Sequence, residues 1–146
     1  MDAYPLFRYN EKKPLKEQMT VIRTRRPVMS ECIFCKIVEG TIPSKKVYEN
    51  DSVLAFHDIQ PAAPVHVLII PKKHIPTMND VQETDAALIA ELFATARQIA
   101  AELGIAEAGY RLVNNVNADG GQVVYHLHVH LLGGRKLGAL LSDNAS

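Results

Sequence analysis

The sequence predicts an α+β fold, with one antiparallel sheet of about five strands, one long helix and one short helix. Two observations support this fold class. Short apolar segments separated by turn-forming residues are typical of antiparallel strands. Helical periodicity is confined to two segments, so strands and helices do not alternate along the chain as they do in a βαβ fold.

The strand predictions cover residues 46–49, 53–58, 65–70, 110–116 and 125–132. Asn50-Asp51 and the proline-containing stretch 60–64 separate the first three strands. The glycine-containing stretch 117–122 separates the last two. Residues of these types favour turns, so neighbouring strands are expected to fold back on one another.

The long helix is predicted between residues 80 and 104, where apolar residues recur with a helical period at Leu88, Leu92, Ala96, Ile99 and Leu103. Asp80 and Glu83 form a candidate capping pair at its start, and Gly104 ends it. The short helix is predicted for residues 32–39, because Gly40 follows as a typical helix-ending residue.

Composition favours one domain, which we place at residues 29–146. The chain has 146 residues, is 47% apolar and carries no formal net charge, so its overall charge does not favour binding to nucleic acid or to a membrane. Residues 1–28 contain seven Lys or Arg against three Asp or Glu and show no sustained period, which predicts an extension outside the core. Met29 is a plausible start of the functional protein.

The expected compartment is the cytoplasm. The sequence contains no apolar run of membrane-spanning length and no apolar segment typical of a signal peptide at its start. Its two cysteines, Cys32 and Cys35, are too few for a disulfide scaffold. A Cys-x-x-Cys pair in a reducing compartment favours metal binding or redox chemistry.

Three histidines at alternate positions, His126, His128 and His130, are the strongest functional signal. In an extended strand these imidazoles project from one face, and Leu127 and Val129 face the core. Imidazole titrates near neutral pH, so this pattern favours nucleophilic attack, proton transfer or metal binding. Gly120-Gly121 just before the strand could present backbone N–H groups to an anion, or could simply form a connection.

The histidine segment His126-x-His128-x-His130-Leu131-Leu132 resembles the histidine triad signature, and the likeness extends over residues 31–136. Within that superfamily the chain is most similar to the Hint branch, the nucleoside phosphoramidases. The other matching motifs are Cys32-Ile33-Phe34-Cys35-Lys36-Ile37, Phe56-His57-Asp58-Ile59, Pro64-x-His66, Pro71-Lys72-Lys73-His74, Tyr110-Arg111, Asn115, Asp119-Gly120-Gly121-Gln122 and Gly133-Gly134-Arg135.

This resemblance implies a two-step exchange at phosphorus. His128 would attack the α-phosphate of a purine nucleoside phosphoramidate, and water would then release the nucleoside monophosphate. The backbone carbonyl of His126 would hold the Nδ1–H of His128, and His66 and His130 would contact the phosphate oxygens. The remaining phosphate contacts would come from the backbone N–H groups of Gly121 and Gln122 and from the amide of Asn115. No catalytic cofactor is implied.

A nucleoside slot follows partly from spacing, because Leu54, Phe56 and Asp58 share one strand face. By resemblance Asp58 accepts from the ribose hydroxyls. The apolar walls around the base would be Ile33, Phe34, Ile37, Phe56, Ile59 and Leu68, although each of these also suits a core. Val123 stands where the family often has a serine that assists the leaving group, so altered amine selectivity is expected.

A structural zinc is a second expectation. Cys32, Cys35, His74 and His126 would complete a Cys₂His₂ set of the kind that some bacterial relatives carry, and the alternative is two free thiols packed beside Phe34. Two other functions remain open from the residues: a zinc-dependent hydrolase of another class and a non-catalytic nucleotide-binding or scaffold module. The resemblance also implies a homodimer, with the long helix and residues 110–116 in its interface.

Overall fold

Five strands form one antiparallel sheet in the computed structural model, which describes residues 31–141. The strands lie in the order β1-β2-β3-β5-β4, so β5 is inserted between β3 and β4. Their bounds are β1 (Lys46–Glu49), β2 (Val53–His57), β3 (Val65–Pro71), β4 (Tyr110–Val113) and β5 (Val129–Gly133). The predicted α+β class is confirmed. The predicted extension at residues 1–28 lies outside the described part of the chain.

The two faces of the sheet carry separate apolar clusters. Along β2, Val53 and Ala55 pack into the cluster that contains Leu92 of the long helix, while Leu54 and Phe56 pack into the other. This alternation is the two-residue period of a strand with both faces covered. Each face therefore has its own helix.

The long helix, α2 (Ala86–Glu102), covers one face. Its buried side chains include Leu92, Ala96 and Ile99, as the helical period predicted. The predicted start was wrong. Asp80 and Glu83 do not cap α2, because Asp80 closes a separate 3-10 turn with Thr77 before the helix begins.

The short helix, α1 (Ile33–Glu39), contributes to the other face and forms where the sequence predicted it. Cys32 is its N-cap, and the thiol of Cys32 accepts from the backbone N–H of Cys35 at 3.4 Å. Gly40 ends the helix with a φ of 83°, a left-handed conformation that glycine adopts without steric cost. These two ends fix the position of Phe34.

Strands β4 and β5 are shorter than predicted. β4 ends at Val113 instead of residue 116, and β5 begins at Val129 instead of residue 125. The segment before Val129 bonds elsewhere: the Leu127 N–H donates to the carbonyl of Ile75 at 2.6 Å. His126 and His128 therefore precede β5, and only His130 of the three histidines lies on it. No helix of residues 31–141 is long and apolar enough to cross a membrane.

Candidate active site

His128 is held in the tautomer that a nucleophile requires. Its Nδ1 lies 2.7 Å from the backbone carbonyl of His126. Because a carbonyl oxygen only accepts, Nδ1 carries the proton, and Nε2 keeps its lone pair. The ring is 6% exposed, and burial lowers the pKa of His128 despite the raising effects of the His126 carbonyl and Asp58. Burial therefore favours the neutral, nucleophilic form.

A pair of hydrogen-bonded imidazoles, His66 and His130, lies beside His128. The backbone N–H of Ala62 donates to Nδ1 of His66 at 3.0 Å, so the proton of neutral His66 is on Nε2. That Nε2 lies 2.9 Å from Nδ1 of His130, which must accept. The neutral His130 ring therefore carries its own proton on Nε2, as a donor. The His128 and His130 rings are 5.0 Å apart between centroids.

Burial also keeps this pair neutral. It lowers the pKa of His130 to about 4, with further lowering by the neighbouring His128 and His66 rings. Burial likewise lowers the pKa of His66, and the carboxylate of Asp58 opposes that shift. A neutral imidazole N–H can donate to a phosphate oxygen without placing a buried cation beside His128.

Asp58, His66 and His130 bring their donor atoms within 4.8 Å of one another, a distance that also suits a metal ion. The tautomers argue against that use. Nε2 of His66 faces Asp58 at 3.5 Å, but the Ala62 N–H on the opposite ring nitrogen leaves that Nε2 protonated and without a lone pair. His66 therefore donates to His130, and the Asp58 carboxylate lies beside this hydrogen-bonded pair.

Phe34 separates the ring of His128 from the ring of His126. Its ring packs edge to face against His128 at 5.2 Å and against His126 at 5.9 Å between centroids. Three histidines on one strand face were expected, but the ring of His126 turns away. Its Nε2 donates to the carbonyl of Pro71 at 2.8 Å, which fixes the ring on the far side of Phe34.

The His126 ring belongs to a second cluster with Cys32, Cys35 and His74, whose four ligand atoms lie within 4.8 Å of one another. Nδ1 of His126 is 3.4 Å from Sγ of Cys32 and 3.3 Å from Nδ1 of His74. Since Nε2 of His126 donates to Pro71, its Nδ1 has a lone pair directed at this cluster. Burial raises the pKa of the Cys35 thiol to about 12 and lowers that of His126 to about 4.

These distances match the donor spacing of tetrahedral zinc. Ordinary Zn–S and Zn–N bond lengths place a sulfur and a nitrogen ligand about 3.5 Å apart and two nitrogens about 3.3 Å apart. Sγ of Cys35 lies 3.2 Å from Nδ1 of His74 and 3.5 Å from Nδ1 of His126. The donor set and its geometry therefore fit the ion.

The predicted nucleoside slot divides into buried and exposed parts. Asp58 follows β2, and its carboxylate accepts from the Gln60 N–H at 2.8 Å, which leaves Oδ2 toward His66. Ile33 is 46% exposed and Ile59 is 95% exposed, so both can contact a ligand. The other predicted wall residues are part of the apolar cluster on this face: Phe34, Ile37, Phe56 and Leu68. His57 is exposed on the opposite side, as alternation predicted.

The loop before the histidines uses the two backbone N–H groups that the resemblance assigned to the phosphate. The Gly121 N–H donates to Ala118 O and the Gln122 N–H to Asn117 O, both at 3.0 Å. As the loop stands, these two groups are engaged in turns and do not point outward as phosphate donors. The buried Gln122 amide also donates to Pro76 O at 2.8 Å. Gln122 thus ties the loop to the segment after β3.

Of the remaining predicted residues, Val123 is 87% exposed, and Asn115 is partly buried after the end of β4. Sequence reasoning missed Asn114 and Ala62. Nδ2 of Asn114 donates to the carbonyl of His128 at 2.9 Å. Neither residue type indicates catalysis, and the Ala62 contact is made by the backbone, so no motif could have identified either.

Comparisons with known proteins find a matching family and similar sequences. A family model described as the HIT domain matches residues 39–137. The purine nucleoside phosphoramidase of Escherichia coli K12 is 53% identical over 112 residues, which cover 77% of this chain and 94% of that protein. A HIT-like protein of Chlamydia pneumoniae is 51% identical over 108 residues, covering 74% and 97% of the two chains.

Solved structures show the same fold. A HIT family hydrolase from Legionella pneumophila matches with a TM-score of 0.72 and 55% identity, covering 73% of this chain and 96% of that one. A histidine triad protein from Clostridium difficile matches with a TM-score of 0.74 and 46% identity, covering 78% and 98%.

Proposed function

This chain belongs to the HIT family, and on that premise we propose that it hydrolyses the P–N bond of purine nucleoside phosphoramidates. The observation that carries the proposal is the 2.7 Å contact between Nδ1 of His128 and the carbonyl of His126. It leaves one lone pair, on Nε2 of a buried neutral ring, beside His130, whose Nε2–H is a donor. His66, which the resemblance assigned to the phosphate as well, donates to His130 in this structure and so orients that ring. That arrangement suits attack on phosphorus.

In the first step, Nε2 of His128 forms a bond to the α-phosphorus while the P–N bond to the amine breaks, and the departing amine takes up a proton from solvent. His130, through its Nε2–H, stabilises charge on the phosphate oxygens. In the second step, water attacks phosphorus and gives up a proton to solvent, the bond to Nε2 of His128 breaks, and the nucleoside monophosphate leaves with His128 neutral again. Asp58 binds the ribose, and Ile33 and Ile59 flank the base.

The test is intact mass spectrometry after brief mixing with an adenosine phosphoramidate and a denaturing quench. We expect one added nucleoside monophosphate on His128. His57→Ala is the matched control, since His57 is exposed on the opposite side of β2 and should leave the adduct unchanged. His128→Ala should give neither adduct nor turnover. Equal rates for native protein and His128→Ala would refute the nucleophile.

We further propose that Cys32, Cys35, His74 and His126 hold a structural zinc ion. Four protein donors at tetrahedral spacing support it, because a structural site is closed by four such ligands. When bound, zinc supplies a cross-link that ties α1 to the segment after β3 and to His126. A zinc hydrolase is the weaker reading, since that class keeps one position open for water.

A homodimer and a cytoplasmic location complete the proposal. β4 is an edge strand, so one side of its backbone is unpaired within residues 31–141, and Phe93 on α2 is 48% exposed. Sedimentation should give twice the chain mass, and Phe93→Glu should lower the association constant. A monomer at all concentrations would contradict the homodimer.

Deleting residues 1–28 should leave folding and turnover intact, which tests the domain boundary at residue 29.

A further inference from the structure

Asn114 contacts the backbone of the proposed nucleophile from the end of a neighbouring strand. Its Nδ2 donates to the carbonyl of His128 at 2.9 Å. β4 ends at Val113, one residue before, and the last pair between β4 and β5 is Val113 with His130. The β4 ladder therefore stops short of His128, and the amide of Asn114 supplies a donor in its place.

The consequence is that His128 is anchored at two points. The His126 carbonyl accepts from the His128 ring at 2.7 Å, and the Asn114 amide donates to the backbone carbonyl of His128 at 2.9 Å. The segment from Gln122 to His128 lies outside the sheet, so strand pairing does not set the backbone dihedral angles of His128. The ring contact fixes the tautomer only while Nδ1 stays within reach of the His126 carbonyl. That reach depends on the direction of the Cα–Cβ bond, which depends in turn on where the peptide after His128 lies.

We propose that Asn114 is a positioning residue for the reaction: its amide orients the His128 peptide and so aims Nε2 at the phosphorus. The inference rests on the proposed role of His128. Among uncharged side chains of this size, only an amide both extends from position 114 to the His128 carbonyl and carries an N–H donor. An aspartate of the same shape would place an acceptor against a carbonyl, and a leucine would place no polar atom there.

The test compares Asn114→Leu and Asn114→Asp with the same two changes at Asn79. Asn79 is exposed, and its side chain makes no hydrogen bond within residues 31–141. Small displacements of a reacting group cost up to about a hundredfold in rate, so we expect kcat to fall about tenfold in both Asn114 variants, with KM within about twofold of native. The Asn79 variants should match the native protein.

A second readout separates positioning from ordinary destabilisation. Nitrogen NMR of the His128 ring should show the Nδ1–H tautomer in native protein and in the Asn79 variants. In the Asn114 variants it should show a mixture of tautomers. If Asn114→Leu does not fold, kcat and the ring signal of Asn114→Asp, which keeps the side-chain shape, test the inference. A folded Asn114 variant with native kcat, or with an unchanged His128 ring signal, overturns the inference.

The two proposals fail in different ways. If the native protein forms no adduct on His128, the proposed function is wrong, and the ring signal still reports whether Asn114 orients the residue. If the native protein forms the adduct and Asn114→Leu forms it at the same rate, the function stands and the positioning role is wrong.

Discussion

Loss of zinc should destabilise the protein without abolishing its chemistry. The proposed ligands join three separate segments, with Cys32 and Cys35 at α1, His74 after β3 and His126 before β5. An ion that binds only the folded chain stabilises it by about 2.7 kcal/mol when free zinc is about a hundred times the dissociation constant. For a domain of about this size, each kcal/mol moves Tm by about 4 °C, so chelation should lower Tm by about 10 °C.

The assay is calorimetry of untagged protein with and without a chelator, together with metal analysis. His74→Asn should reproduce the chelated Tm and show no further loss on chelation. His57→Asn is the matched control, because His57 is exposed and lies outside the cluster, and it should keep both the metal and the chelator response.

Catalysis distinguishes a structural ion from a catalytic one. Below the chelated Tm, turnover per folded molecule should persist, since His128 is not a member of the proposed ligand set. Less than about a tenth of an equivalent of zinc in the native protein, or an unchanged Tm after chelation, would refute the structural site. Complete loss of turnover in protein that remains folded would instead favour a zinc hydrolase.

Three other predictions concern the proposed active site. Burial lowers the pKa of His130 from 6.5 to about 4, so the unfolded chain binds more protons than the folded chain below pH 6.5. The free energy of unfolding should therefore fall by about 2 kcal/mol from this group as pH falls from 7 to 4.5. When that free energy is measured by denaturant unfolding at several pH values, it should depend less on pH in His130→Gln than in the native protein. Asp58→Asn should raise KM for the nucleotide about tenfold and change kcat little, and an unchanged KM would argue against a ribose contact. Val123→Ser should speed the release of poorly departing amines by a few fold, because the new hydroxyl can hydrogen-bond to the leaving group. It should leave the turnover of a nucleotide aryl ester unchanged, because a phenolate departs without that hydrogen bond. Equal effects on both substrates would contradict this role for residue 123.

Local sequence patterns determined much of this protein. Gly40 specified the end of α1, and the two-residue alternation of β2 sent Leu54 and Phe56 to one side of the sheet and Val53 to the other. The contact between the His128 ring and the His126 carbonyl, which the family resemblance implied, also joins residues only two positions apart. These features depend on residues close in sequence, so their chemistry can be predicted from residue type and spacing.

Only the tertiary structure decided which groups from distant segments meet. The ring of His126 turns away from His128 because the carbonyl of Pro71 accepts its proton, and β5 starts late because the preceding segment bonds to the loop after β3. Asn114 became part of the site because β4 ends just before it. Hydrogen bonds across 14 to 94 positions depend on how whole elements pack, and no local pattern encodes that distance.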